Sequence, residues 1–165
     1  MIKVICADIT KLQVDVIVNA ANSALAPGGG VDGAIRRAAG HELDEACARL
    51  GGCPVGEVRL TSGFRLPARY VIHTVGPVWQ GGDHGEAGLL RNCYRNSFKL
   101  ALDNDFRTIA FPCISTGVYG YPRQQAAAIA LEQMQFFQNR FTEIIACCYS
   151  PEDEKTYLEL LGENI

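Results

Sequence analysis

Residues 14–39 read VDVIVNAANSALAPGGGVDGAIRRAA, and they place a buried strand, a glycine-rich loop and a helix start in direct succession. Val14–Val18 is typical of a covered strand, and Val31–Ala39 has the apolar spacing of a helix. The glycines at 28–30 cost backbone entropy, which indicates that the main chain there comes close to another group. The free N–H groups and positive dipole end of the following helix favour an anion. A plain tight turn is the alternative explanation of these glycines alone.

A second stretch, FPCISTGVYGYP at residues 111–122, has the same order of strand, polar glycine-bearing turn and helix start, with Pro122 opening the helix. In open α/β sheets, ligands bind at the carboxyl ends of the strands, where both loops are expected. The formal net charge is −3, so the chain has no basic field for general nucleic-acid binding. We therefore expect backbone donors of the two loops to hold a diphosphate between them.

Short apolar runs alternate with helical patterns along the chain, which is typical of an α/β sandwich. A length of 165 residues without repeats or linkers predicts one domain over residues 1–165. Val58–Phe64 alternates in polarity and predicts a strand near a sheet edge, with Arg59 and Thr61 on its wet face. The predicted strands are Ile2–Ala7, Val14–Val18, Val58–Phe64, Tyr70–Val75, Thr108–Phe111 and Ile144–Cys148. The predicted helices are Val31–Ala39, Glu42–Leu50, one through Leu89 to Leu102, one from Pro122 and one after Ser150.

The cysteines are odd in number, seven, and form no CxxC pair, which favours reduced thiols in the core of a cytoplasmic protein. The N-terminal residues do not resemble a secretory leader, and no apolar run approaches the ~18 residues of a membrane span. We therefore expect no membrane contact. Neither glycine-bearing loop has clustered Cys and His ligands, so no metal site is expected.

Gly28–Gly33 also satisfies GxGxxG, the fingerprint of a dinucleotide-binding turn. That fingerprint requires its first glycine directly after the strand, whereas Asn19–Pro27 intervene here. It also requires an acidic residue at the end of a second strand about 20 residues further on. Asp44 and Glu45 stand near that distance but within a helical pattern. These mismatches argue against a nicotinamide-dependent oxidoreductase.

Five segments together resemble the macrodomain family and, more narrowly, its MacroD-type branch of O-acetyl-ADP-ribose deacetylases and ADP-ribosyl hydrolases. They occur in the family's order and spacing, and the match runs from about Ile2 to Leu161. The resemblance implies a three-layer α/β/α sandwich around a mixed, mostly parallel six-stranded sheet. The segments are Cys6–Thr10, Asn19–Ser23, Gly29–Ala34, His73–Pro77 and Ile114–Gly120.

The resemblance implies ADP-ribose and its O-acyl esters as ligands, with no cofactor. Asp8 would accept a hydrogen bond from the adenine amino group, the N–H of Ile9 would contact the ring, and Tyr149 would pack on it. Asn22 would orient the distal ribose hydroxyls, and Asp32 would act near the scissile bond. The residues enclosing the diphosphate and distal ribose would be Gly30, Val31, Ser115, Thr116, Gly117, Val118 and Tyr119.

The implied reactions are hydrolysis of an acyl ester of ADP-ribose and removal of mono-ADP-ribose from acidic side chains of proteins. Both need an in-line water and a proton acceptor. Asp32, in the first turn of a helix, is interpreted as a carboxylate that positions water and shares the work with the ligand's phosphate. Asn22 can donate and accept towards a vicinal diol, and Tyr119 would leave room for one water. Asp32, Asn22 and Tyr119 are therefore the predicted catalytic residues.

The chain departs from this branch at two positions: Pro27 stands where a glycine is usual, and Arg36 stands where a histidine is frequent. Arg36 faces either solvent or an acidic partner, so substrate preference stays open. A non-catalytic module that reads ADP-ribose is the alternative function, which the presence of Asn22 with Asp32 disfavours. Asp32 alone could merely stabilise its helix, and His73, in an apolar strand, is expected to be a hydrogen-bonded core residue.

Overall fold

The computed structural model describes residues 1–163. All predicted strands and helices are present, with boundaries that shift by one or two residues in most cases. The strands are β1 (Ile2–Cys6), β2 (Val16–Ala20), β3 (Val58–Ser62), β4 (Tyr70–Thr74), β5 (Thr108–Phe111) and β6 (Glu143–Cys148). The helices are α1 (Gly30–Ala39), α2 (His41–Arg49), α3 (Glu86–Asp103), α4 (Arg123–Phe137) and α5 (Pro151–Glu163).

The six strands form one sheet in the order β1-β6-β5-β2-β4-β3. Every pair is parallel except β3 with β4, which is antiparallel. The predicted mixed, mostly parallel sheet is therefore confirmed. Val16, Ile17 and Val18 of β2 are fully buried, because β2 lies between β5 and β4 and both faces of the sheet are covered.

Helices cover the two faces of the sheet separately, which confirms the three-layer arrangement. On one face, Ile17 packs in a cluster with Ile35 of α1 and Leu43 of α2. On the other face, a larger cluster joins Val18 to apolar side chains of α3, α4 and α5. Since adjacent residues of β2 feed opposite clusters, the continuous apolar run at residues 16–18 is the sequence mark of a strand covered on both sides.

The predicted position of β3 at a sheet edge is confirmed, but its predicted wet face is wrong. Thr61 is buried, and its hydroxyl lies 2.9 Å from Nε2 of His73 on the paired strand. A polar side chain with a hydrogen-bond partner can be buried at low cost, which alternation of polarity does not reveal. The strand ends at Ser62 rather than Phe64, because the backbone turns at Phe64 with a φ of 50°.

Five of the seven cysteines are buried, Cys113 is half-buried and Cys6 is exposed, so the expectation of core thiols fails for Cys6. All seven are free thiols. None of the helices within residues 1–163 is long and apolar enough to cross a membrane.

Replacing Phe98 by alanine tests the larger cluster. Its ring is fully buried and packs against Phe111, Phe137 and Phe141, with centroid distances of 4.9, 4.7 and 5.3 Å. Phe98→Ala should lower the free energy of unfolding by about 3–5 kcal/mol in urea titrations. Phe136 is 78% exposed, so Phe136→Ala should change it by less than about 0.5 kcal/mol. Equal losses would contradict this description of the core.

Candidate ligand site at the carboxyl ends of the parallel strands

The predicted site residues follow four neighbouring parallel strands. Asp8 follows β1, Tyr149 follows β6, the β5–α4 loop (residues 112–122) follows β5, and the β2–α1 loop (residues 21–29) follows β2. Since neighbouring strands lie about 4.8 Å apart, the site extends over about 14 Å along one edge of the sheet. The sheet order therefore brings all the sequence-predicted residues to one elongated edge. This edge is the row of carboxyl ends of the parallel strands and not an edge strand of the sheet.

Asn22 shapes the β2–α1 loop. Its Oδ1 accepts from the N–H of Ala26 at 3.0 Å, and its Nδ2 donates to the carbonyl of Ala26 at 2.8 Å. Leu25, within this turn, has a φ of 54° although it is not glycine, and its side chain is buried. One amide hydrogen and one lone pair of the Asn22 side chain stay available beside the loop.

Asp32 lies in the first turn of α1 and is only 4% exposed. Its Oδ1 accepts from Nδ2 of Asn19 at 2.7 Å, and its Oδ2 accepts from the N–H of Gly28 at 2.7 Å and from Nε of Arg36 at 3.0 Å. A carboxylate offers about four acceptor sites, so about one remains. A Cβ atom on Gly28 would lie 3.2 Å from Oδ2 of Asp32 and 3.4 Å from Nδ2 of Asn22. The two predicted catalytic side chains thus both lie beside Gly28.

Arg36 faces acidic partners, not solvent, and it is only 5% exposed. Besides Asp32, it donates through Nη1 to Oδ1 of Asp44 at 2.7 Å and through Nη2 to the carbonyl of Leu25 at 3.0 Å. Burial opposes its charge, but the carboxylates of Asp44 and Asp32 outweigh burial and raise the pKa of Arg36. It is therefore a guanidinium cation within an ionic cluster.

Asn19 and His73 connect this cluster to the sheet. Nδ2 of Asn19 donates to Asp32 and lies 3.1 Å from Nδ1 of His73, so that ring nitrogen accepts. Nε2–H of His73 then donates to Thr61. Burial lowers the pKa of His73 to about 4, which keeps the ring neutral. The prediction that His73 is a hydrogen-bonded core residue is confirmed. The sequence did not predict the role of Asn19, because an asparagine within an apolar strand does not indicate which residue it will bind.

The first turn of α1 and the β5–α4 loop carry backbone donors without acceptors. Gly29 caps α1 without a side-chain hydrogen bond, and within residues 1–163 the N–H groups of 30–32 bond to no acceptor. The same holds for residues 116–119 of the β5–α4 loop over the described range. Since α1 and this loop follow the adjacent strands β2 and β5, the free donors form one region that suits an anion.

Ser115 is buried at the start of this region, and its hydroxyl has no hydrogen-bond partner among the residues that the structure describes. Its φ is 68°, a conformation that non-glycine residues adopt at a cost. Gly76, at the end of β4, leaves the space for this turn, because a Cβ there would overlap the Ser115 hydroxyl. A ligand acceptor would satisfy the unpaired hydroxyl.

Glu86, the first residue of α3, organises the loop that precedes it and was missed in the sequence. Its buried carboxylate accepts from the N–H groups of Gln80, Gly82 and His84 at 2.8, 2.9 and 2.6 Å. Burial would raise the pKa of Glu86, but these backbone donors outweigh it and lower the pKa to about 2. The available signal was an acidic residue at a helix start directly after a glycine-rich loop.

Trp79, in the loop that Glu86 organises, supports the β5–α4 loop. The backbone N–H of Trp79 donates to the backbone carbonyl of Tyr119 at 2.8 Å. Its ring packs on the buried Tyr121, with a centroid distance of 4.7 Å. The predicted wall residue Tyr119 is half-buried and is held through its backbone.

The β1–β6 end of the site combines one free carboxylate oxygen with exposed apolar groups. Oδ1 of Asp8 accepts from the N–H and hydroxyl of Thr10 at 3.0 and 2.7 Å, and these bonds lower the pKa of Asp8. Oδ2 has no partner within residues 1–163. Tyr149 is 94% exposed and Ile9 is buried, and Val118, in the neighbouring β5–α4 loop, is fully exposed. Over the whole of residues 1–163, no three His, Cys, Asp or Glu side chains form a group suited to a metal ion.

Comparisons with known proteins agree with this arrangement. Residues 18–130 match the family model described as Macro domain. A macro domain-containing protein of Chlorobaculum tepidum is 59% identical, over 98% of this chain and 96% of that protein. A protein of Escherichia fergusonii named O-acetyl-ADP-ribose deacetylase is 54% identical, over 99% and 96% respectively. The Oceanobacillus iheyensis macrodomain with ADP has a TM-score of 0.93 and 46% identity, covering 98% of this chain and 92% of that one. The Trypanosoma brucei macrodomain in complex with ADP-ribose has a TM-score of 0.92 and 46% identity, covering 98% and 69%.

The low pKa of Glu86 predicts a pH dependence of stability. Its pKa falls from 4.5 to about 2 on folding, so its contribution is complete above pH 4.5 and is lost as the pH falls towards 2. Urea titrations between pH 2 and 6 should show Glu86→Gln less stable than wild type at pH 6, with the difference shrinking below pH 4.5. Glu159→Gln, at an exposed helix position, is the control and should track wild type. A difference independent of pH would contradict the role of the Glu86 charge.

Proposed function

Because this chain belongs to the macrodomain family, we propose that it binds ADP-ribose and hydrolyses O-acyl esters of ADP-ribose, O-acetyl-ADP-ribose in particular. The proposal includes hydrolytic removal of mono-ADP-ribose from acidic side chains of proteins, because that linkage also joins a carboxylate to the distal ribose. The observation that carries the hydrolase assignment is the placement of the Asn22 and Asp32 side chains together beside Gly28. The relatives named O-acetyl-ADP-ribose deacetylase support it.

The elongated edge suits the three parts of ADP-ribose. Adenine would lie at the β1–β6 end, where Oδ2 of Asp8 is free to accept from its amino group and the exposed Tyr149 ring can cover it. The Ile9 N–H would contact the ring there. The diphosphate would lie over the free N–H groups of residues 30–32 and 116–119, beside the unpaired Ser115 hydroxyl. The distal ribose would then lie next to Asn22 and Tyr119.

Hydrolysis requires a water to attack the ester carbonyl carbon and the ribose oxygen to leave with a proton. Asp32 has about one acceptor site left, so it can orient one water by accepting its hydrogen bond. The proton released by the attacking water passes through a phosphate oxygen of the ligand to the leaving ribose oxygen. Asn22 holds the adjacent hydroxyl with its remaining amide hydrogen and lone pair. Tyr119 limits the approach to one water.

Turnover tests the hydrolase assignment. Wild-type protein should release acetate from O-acetyl-ADP-ribose and ADP-ribose from a mono-ADP-ribosylated protein. Asp32→Asn keeps the shape of the side chain, and Asp32→Ala removes it. Both should lower kcat by about 100-fold, because the attacking water loses its orientation. Asp103→Asn changes an exposed aspartate at the far end of α3 and should leave kcat unchanged.

The outcomes separate the competing functions. Binding of ADP-ribose by wild type without release from either substrate would identify a reader module. Full activity of both Asp32 variants would contradict the role given to that carboxylate. Tight binding of NAD without binding of ADP-ribose would instead favour a dinucleotide-dependent oxidoreductase.

Asp8→Asn tests the position of the adenine ring. The asparagine oxygen can still accept from Thr10, so the local turn should persist, but the free acceptor Oδ2 becomes an amide donor. Loss of one hydrogen bond to a charged group predicts an about 10-fold weaker ADP-ribose Kd by calorimetry, with Tm unchanged. An unchanged Kd would contradict the assignment of Asp8 to adenine.

A further inference from the structure

Arg36 is the cation of a buried ionic cluster beside the β2–α1 loop, and each of three guanidinium nitrogens has its own partner. Nε binds Asp32, Nη1 binds Asp44 and Nη2 binds the carbonyl of Leu25, all within 3.0 Å. A lysine has one ammonium group on a flexible stem and cannot reproduce this planar fork. The cluster therefore depends on an arginine and not merely on a positive charge.

The contacts of Arg36 restrain the loop segment at 25–28 from both ends. The carbonyl of Leu25 accepts directly from Arg36, and the N–H of Gly28 donates to the Asp32 oxygen that Arg36 also binds. Leu25 has a φ of 54°, a conformation that persists only where its surroundings hold it. Without Arg36, the Leu25 carbonyl loses its bond to α1, and the Asp32 oxygen that accepts from Gly28 loses its bond to the guanidinium.

Asp44 holds Arg36 in turn, from α2. Its bond to Nη1, at 2.7 Å, is the shortest of the three, and its side chain is 41% exposed. The cluster thus runs from the protein surface at Asp44, through Arg36, to the Asp32 carboxylate. Truncating one partner of such a cluster leaves an uncompensated buried charge, whereas a change at its exposed end is tolerated better.

We propose that Arg36, held by Asp44, is a positioning residue that sets the Asp32 carboxylate and the segment at 25–28 in the arrangement that receives the distal ribose. This inference rests on the proposed function, since it concerns the ribose end of that site. Arg36 does not contact the ligand; it acts through Asp32 and Leu25. It occupies acceptor capacity on Asp32 and balances its charge, which leaves the carboxylate suited to orienting a single water.

The proposal predicts different effects on the binding of two ligands, ADP and ADP-ribose. ADP has the adenine and diphosphate groups but lacks the distal ribose. A residue that positions only the ribose end should therefore affect ADP-ribose and leave ADP binding intact. A residue that merely supports the fold should weaken both ligands and lower Tm.

The experiment compares Arg36→Lys and Asp44→Asn with two matched controls on the same helices. Arg37→Lys makes the same change at the next, exposed position of α1, and Glu45→Gln removes a charge from the exposed neighbour of Asp44. For each variant, calorimetry gives the Kd values of ADP and ADP-ribose, hydrolysis of O-acetyl-ADP-ribose gives kcat, and thermal unfolding gives Tm.

For Arg36→Lys we expect kcat to fall by about 10- to 100-fold, since small displacements of positioning groups have effects of that size. The ADP-ribose Kd should weaken at least about 5-fold while the ADP Kd stays within about 2-fold, so the ratio of the two affinities changes. Asp44→Asn should change kcat and the affinity ratio in the same direction, but by less. The double variant should be no worse than Arg36→Lys alone, because both changes act through one interaction. The two controls should match wild type.

An unchanged affinity ratio in both Arg36→Lys and Asp44→Asn would overturn the proposal, as would equal weakening of ADP and ADP-ribose. If Arg36→Lys fails to fold, Asp44→Asn decides by the same ratio, because its side chain reaches the surface. If wild type binds ADP-ribose but does not hydrolyse the ester, the hydrolase assignment fails while the affinity ratio still decides the role of Arg36.

Discussion

The parallel pairing of β2 with β5 is the interaction on which the site depends. Val16 pairs with Ile109 and Ile17 pairs with Ala110 in the middle of the sheet. Because the strands are parallel and in register, the β2–α1 and β5–α4 loops start side by side at their carboxyl ends. The helices that follow pack on opposite faces of the sheet, so neither blocks the other. The free N–H groups of the first turn of α1 and of the β5–α4 loop are neighbours for this reason.

The proposed anion site does not depend on a net positive charge of the chain. The net charge of the chain is −3, and Arg36, which donates to Asp32 at the proposed ribose end, is neutralised by Asp32 and Asp44. Attraction for a diphosphate must then come from oriented backbone dipoles close to the ligand. Such donors act over a short range and require a defined geometry, which suits recognition of one ligand better than accumulation of polyanions.

Features set by local sequence could be predicted, and features set by distant contacts could not. The run at residues 16–18 revealed a doubly covered strand, and the position of Asp32 after three glycines revealed a helix start beside a loop. The burial of Thr61 depends on His73 of the paired strand, and the partners of Arg36 come from a loop and a second helix. The placement of Glu86 over its own loop depends on backbone turns that residue types alone do not encode. These contacts form only when the chain is folded, so no local pattern announces them.

The backbone N–H groups at this edge are divided between the protein and the proposed ligand. Asp32 accepts from Gly28, Asn22 accepts from Ala26, and Glu86 accepts from three N–H groups of the loop that supports Tyr119. These bonds use carboxylates and an amide of the chain itself to hold the loops in one shape. The donors at 30–32 and 116–119 receive no such partner within residues 1–163. Since free donors in a fixed arrangement lose little entropy when an anion binds, the acidic residues of this edge favour anion binding by ordering the donors that they do not themselves use.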